Sequence, residues 1–153
     1  MLVDREPGIF LTNQQLDGYV DFLREAGAVK YFKTARERLL SAELVTLTKG
    51  QDLVGIGAIK AKRSEYNRKI ATRSQYLLPE RMCEIGYIAV AKAYRGKGYS
   101  KQIVKELLEY DDWVFATTSS EAMRRTFCHF GFKPKGNMWT SKEGAKLSLW
   151  VKE

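Results

Sequence analysis

The chain is poor in the residues that staple, anchor or metallate a protein. It has two cysteines, Cys83 and Cys128, in 153 residues. Neither sits at metal-ligand spacing from the other, which argues against a disulfide framework or a cysteine zinc site. Two buried thiols in a reducing compartment are expected instead. A single histidine, His129, offers no cluster for a metal, and none is expected. Three prolines leave no proline-rich linker. No run approaches the ~20 apolar residues of a membrane span. The opening Met-Leu-Val-Asp-Arg-Glu-Pro lacks the apolar core of a secretory signal, so a cytoplasmic location without membrane association is expected. Negative charge is also in deficit. Asp and Glu number 18 against 26 Lys and Arg, a net charge of +8, which favours an anionic partner such as a phosphorylated cofactor, an acidic protein or nucleic acid.

What is present suits a self-supporting α/β fold. Residues 44% hydrophobic and 29% charged fit one domain spanning 1–153. Residues 7–11 read as a short first strand. Thr12 and Gln15 form a capping box for a helix from Asn13, with Leu16, Tyr19, Val20 and Leu23 on one face and Gly27 as its stop. A second helix fits about 30–40, with Phe32, Ala35, Leu39 and Leu40 on its apolar side. Strands over 44–48 and 53–60 flank a turn at 49–52. Gly55 and Gly57 in the second strand predict close approach of a ligand or backbone. Residues 62–78 read as a long connection with irregular strand character. A strong strand follows at 82–90, then a helix from Gly98 to Tyr110 with Ile103, Val104, Leu107 and Leu108 on one face. A short strand at 113–117 leads to a helix over 120–130, capped by Thr118 with Glu121 and stopped by Gly131. Strands from Phe132 and over 147–151 close the chain around a turn at 137–144. Successive strands imply antiparallel pairing, and the later strand–helix–strand stretch implies a parallel pair.

The segment Arg95-Gly96-Lys97-Gly98-Tyr99-Ser100 lies between strand and helix. Its glycines permit a tight turn whose N–H groups face a ligand, and the following helix adds unpaired donors and a partial positive end. This is a cradle for a pyrophosphate. It is neither a Walker A loop nor Gly-x-Gly-x-x-Gly, since Lys101 stands where the third glycine would be. Strand, loop and helix resemble the acyl-CoA motif of the GNAT superfamily of N-acetyltransferases, Gln/Arg-x-x-Gly-x-Gly/Ala, with Arg95, Gly98 and Ser100 at its fixed positions. Ser100 replaces the usual glycine or alanine. Downstream, 120–132 looks like the later helix of that family, which typically ends in Gly-Phe, here Gly131-Phe132.

The resemblance implies a mixed, mostly antiparallel sheet of about six to seven strands with about four helices and splayed central parallel strands. It implies acetyl-CoA as acyl donor. The backbone of Ile88, Ala89 and Val90 would meet the pantetheine, the loop from Arg95 through Ser100 the diphosphate, and Ser120 and Phe127 would stand at cofactor-contacting positions. Val90 N–H would stabilise the oxyanion, and Glu84, in the pattern Glu-Ile-x-x-x-x-Val, would accept the amine proton. Many members carry a tyrosine acid where this chain has Phe127. Ser120 alternatively caps its helix, and Glu84 alternatively pairs with Arg81. The basic residues Lys60, Lys62, Arg63, Arg68, Lys69 and Arg73, with Tyr66 and Tyr76 nearby, provide for an acidic or nucleic-acid partner. Three functions follow: acetyl transfer to a primary amine in a ternary complex, acyl transfer on nucleic acid, or non-catalytic acyl-CoA binding.

Overall fold

The structure is a computed structural model that describes residues 1–29 and 32–153, Phe32 by its backbone alone. Its elements are β1 (Leu2–Pro7), α1 (Asn13–Glu25), α2 (Phe32–Leu40), β2 (Glu43–Lys49), β3 (Asp52–Ile59), α3 (Ser64–Ser74), β4 (Cys83–Val90), α4 (Tyr99–Tyr110), β5 (Val114–Thr118), α5 (Glu121–His129), β6 (Lys133–Thr140) and β7 (Lys146–Lys152). The strands are ordered β1-β2-β3-β4-β5-β7-β6. Among the described strands only the β4–β5 pair is parallel. The expected mixed, mostly antiparallel sheet is present, with five described α-helices rather than about four. No described helix is long and apolar enough to cross a membrane.

The chain divides into two compact units, Met1–Ala61 with Ile85–Tyr110, and Lys62–Glu84 with Asp111–Glu153. In the first, Thr12 caps α1 as its sequence requires. Its hydroxyl accepts from Gln15 N–H at 3.1 Å, and Gln15 Oε1 accepts from Thr12 N–H at 2.9 Å. Leu16, Val20 and Leu23 are fully buried on one stripe, each contributing about 1.5–3 kcal/mol of transfer free energy. Gly27 continues the chain past the helix end in the left-handed region (φ 75°). Arg36 of α2 ties back to α1 through Asp17 at 2.9 Å.

Two expectations for this unit need correction, and a third is met chiefly by side chains of α4 rather than by a ligand or backbone. The first strand is Leu2–Pro7 rather than 7–11, because Pro7 and Gly8 end the β1–β2 ladder and Gly8–Phe10 turns as a short 3₁₀ segment. In α2, Ala35 and Leu39 are buried but Leu40 is 39% exposed. Of the residues assigned to that helix, Lys30, Tyr31 and the Phe32 side chain lie outside the described residues. The close approach predicted at Gly55 and Gly57 comes from α4. A Cβ at Gly55 would lie 2.8 Å from Ile103 Cδ1, and one at Gly57 would strike Ile103 Cγ2 and reach Leu107 Cδ1 at 3.0 Å. Missing side chains on β3 thus let the helix that follows the loop sit directly on the sheet.

The second unit holds the larger surprise. Residues 64–74 form a regular helix, α3, rather than an irregular connection. Its buried stripe is Asn67, Ile70 and Ser74, so two of three inward positions are polar and the amphipathic pattern is masked. Asn67 justifies its burial: its amide nitrogen donates to the carbonyls of Pro79, Glu80 and Met82 at 3.1, 3.0 and 2.8 Å, fixing the segment that leads into β4. The α5 cap is Ser120, whose hydroxyl accepts from Met123 N–H at 3.2 Å. Thr118, expected in that role, instead accepts from Ser120 N–H. The β6–β7 turn is shorter than 137–144, since Trp139 and Thr140 pair with Leu147 and Lys146, and β6 is irregular between Lys135 and Trp139. The thiols are less buried than expected: Cys83 is half-buried and Cys128 exposed, and both are free.

Candidate functional site

Within the first unit the geometry of β4 decides which backbone groups are available. Ala91 N–H donates to Val54 C=O at 2.8 Å. Antiparallel partners alternate between hydrogen-bonded and non-hydrogen-bonded pairs. Ala89 opposite Ile56 is therefore a bonded pair, and Val90 opposite Gly55 is not. The N–H and C=O of Val90 point to the edge of β4 away from β3, and Ile88, two residues earlier, is turned the same way. Ala89 spends its backbone groups on β3. The register slips between Ile56 and Ala58, where Tyr87 takes a left-handed conformation (φ 51°). That conformation is unusual for a bulky residue and marks a β-bulge. The parallel ladder to β5 covers Cys83 opposite Val114 and Glu84 opposite Phe115.

The loop after β4 completes this half. Arg95 Nε donates to Val90 C=O at 3.0 Å, so the outward carbonyl of Val90 is taken while its N–H faces the same edge. Gly96 and Gly98 have φ of 77° and 85°, and a Cβ at either would meet nothing within 4 Å. Both glycines are therefore required by backbone conformation, and the space above them is open. Gln102 N–H bonds back to Gly98 C=O, which starts α4 and leaves the N–H groups of Tyr99, Ser100 and Lys101 without intrahelical acceptors. Lys97 lies over the Tyr94 ring at 5.8 Å, and Tyr94 meets Tyr99 edge-on. The result is an open ring of N–H donors with two exposed cations, which fits a diphosphate. Beside it, Phe22, Glu25, Ala26, Val90, Ala91, Lys92 and Arg95 surround a cavity of about 360 Å³. A second cavity of about 280 Å³ is lined by Ala28, Val29, Thr34, Ala35, Arg38, Lys60 and Tyr87, and Lys60 Nζ stacks 4.3 Å from the Tyr87 ring.

In the second unit Glu84 is 7% exposed. Its carboxylate accepts a hydrogen bond from the Tyr66 hydroxyl at 3.2 Å. Burial, then the Glu84 charge, push the Tyr66 phenol well above its ordinary range, while Thr117 and Arg63 pull weakly the other way. The Arg63 guanidinium lies over the Tyr66 ring at 4.7 Å. The sequence marks Tyr66 only as an aromatic near the basic residues. Its pairing with Glu84 depends on α3, and an 18-residue separation carries no local signal. Ser120 caps α5, and Phe127 is 2% exposed and packs on Phe132 at 5.0 Å. The basic residues disperse: Lys60 faces Tyr87, Arg63 stacks on Tyr66, Arg68 pairs with Glu80 at 3.4 Å, and Lys62, Lys69 and Arg73 are exposed.

A sequence model of the acetyltransferase (GNAT) family matches residues 13–132. No curated protein sequence matches the chain. Solved structures share its fold. ElaA of Escherichia coli superposes with a TM-score of 0.76 at 15% identity, over 99% of each chain. An acyl-CoA N-acyltransferase of Pseudomonas aeruginosa gives 0.73 at 12% identity, also over 99% of each. Rv2747 of Mycobacterium tuberculosis, solved in complex with CoA, gives 0.63 at 17% identity over 100% of each.

Proposed function

The chain belongs to the GNAT acetyltransferase family, and from that premise we propose that it moves the acetyl group of acetyl-CoA to a primary amine by direct attack in a ternary complex, as one catalytic domain. The observation that carries this reading is the outward-turned N–H of Val90 beside the open Gly96–Gly98 loop. Acetyl-CoA, when bound, supplies an activated acyl group. In this reading the N–H groups of Gly96 through Ser100, with Lys97, hold its diphosphate, and the backbone of Ile88 and Val90 borders its pantetheine arm. Ala89 contributes packing rather than backbone groups. The CoA bound to the Mycobacterium tuberculosis neighbour supports this use of the fold.

The amide bond forms as the thioester C–S bond breaks, and CoA leaves as its thiolate for solvent to protonate. The chain's own residues account for the amine proton and the oxyanion charge. Val90 N–H donates to the acyl oxygen as charge develops there. Glu84 accepts the proton that the amine must lose, and Tyr66 positions its carboxylate through the hydrogen bond at 3.2 Å. A covalent acyl-enzyme on Cys83 is disfavoured, because burial and then Asp111 push its thiol above the ordinary range. The two free thiols suit a reducing cytoplasm. A nucleic-acid acceptor draws less support, since Arg63 and Arg68 are engaged within the protein.

The test is release of free thiol from acetyl-CoA across a panel of primary amines. Turnover with at least one amine is expected, falling about 10²–10⁴-fold in Glu84→Gln. Acetyl-CoA binding without turnover on any amine would favour a non-catalytic binding module instead.

A further inference from the structure

The second unit contains a cavity lined by none of the residues given a role in acetyl transfer above. Between Lys135 and Trp139, β6 leaves its register with β7. Gly136 makes this departure possible. Its φ is 67°, and a Cβ there would collide with the Ser74 carbonyl, so only glycine fits. The departure uncovers part of β7 and leaves a cavity of about 170 Å³. Pro134, Met138 and Trp150 give it apolar walls, and Ser148, Lys135 and Arg124 are among its lining residues.

Arg124 is the unexplained member. Its Nε is buried and has no hydrogen-bond partner, and no acidic side chain pairs with its guanidinium among the described residues. A buried N–H without an acceptor is costly, and a guanidinium N–H more so. Ser148 does not relieve it: its hydroxyl accepts from the Trp150 indole N–H at 2.9 Å and donates to Thr118 C=O, and no bond joins it to Arg124 Nε. Lys135 adds a second positive charge at the rim, over the Tyr76 ring at 5.8 Å. A planar guanidinium in this setting matches a carboxylate.

We infer that this cavity binds a small organic carboxylate, with the carboxylate on Arg124 and a short apolar body against Pro134, Met138 and Trp150. The volume is below that of drug-sized sites, which limits the ligand to a short chain. The site is independent of the acetyl-CoA reading.

The experiment is a titration of ¹⁵N-labelled full-length protein with butyrate, with butyramide as its neutral isostere, and with inorganic phosphate as an anion lacking an apolar body. The readout is the Arg124 Nε–Hε cross-peak, assigned by its loss in Arg124→Lys. Butyrate is expected to shift that peak saturably, butyramide to leave it in place, and phosphate to bind at least about tenfold more weakly. Trp150 fluorescence should report the same butyrate binding. It should weaken at least about tenfold in Arg124→Gln and survive in part in Arg124→Lys, which keeps the charge and controls for folding. Butyramide binding as well as butyrate, phosphate binding equally well, or unchanged butyrate affinity in Arg124→Gln would each overturn the inference.

Discussion

The Tyr66 hydroxyl on α3 donates to the Glu84 carboxylate near the start of β4 across 3.2 Å. In Tyr66→Phe a loss in kcat/KM at neutral pH of about tenfold is expected, with little further loss when the same change is made in Glu84→Gln. A merely structural role for Tyr66 would lower activity equally in both backgrounds.

The same contact has a signature in stability. Burial and the Glu84 charge raise the Tyr66 phenol above its ordinary 10.0. Above that pH the unfolded chain releases a proton that the folded protein keeps, so the unfolded state binds fewer protons and stability falls as pH rises. Below it the contribution is fully present. Urea midpoints should stay level to about pH 9 and drop beyond about pH 10, less steeply in Tyr66→Phe. Tyr19 and Tyr110 are raised by burial too, so the variant removes only a share of the slope.

Asn67→Ala deletes one amide that serves three carbonyls ahead of β4. Leaving buried acceptors unmet costs about 1–3 kcal/mol. Chemical denaturation should show that loss, and amide exchange should quicken at Met82 and Cys83.

Gly57→Ala places a methyl group against Ile103 and Leu107 of α4. Overpacking of this kind costs about 1–3 kcal/mol. Thermal unfolding should show a lower Tm.

Parts of this fold were legible because their signals are local. The Thr12–Gln15 box, the Gly27 and Gly131 stops and the 95–100 loop each depend on residues a few positions apart, and each stands where the sequence places it. β1 was not legible, because it is an edge strand with charged Asp4, Arg5 and Glu6, and its pairing is supplied by β2. Helix α3 was hidden by Asn67 and Ser74 on its inner face. In the candidate site, Glu84 and Val90 follow from the family resemblance, not from any local physical signal. The turning of Val90 N–H outward required the ladder, and Tyr66 required α3.

Acetyl-CoA titrated by calorimetry into the wild-type protein and into Gly98→Asp tests the central claim most directly. Aspartate puts both a side chain and a negative charge where Gly98 holds a φ of 85° in open space. One saturable site in the wild type and no measurable binding in the variant, with circular dichroism unchanged, is the expected result. No binding to the wild type, or equal binding to both, would contradict the account.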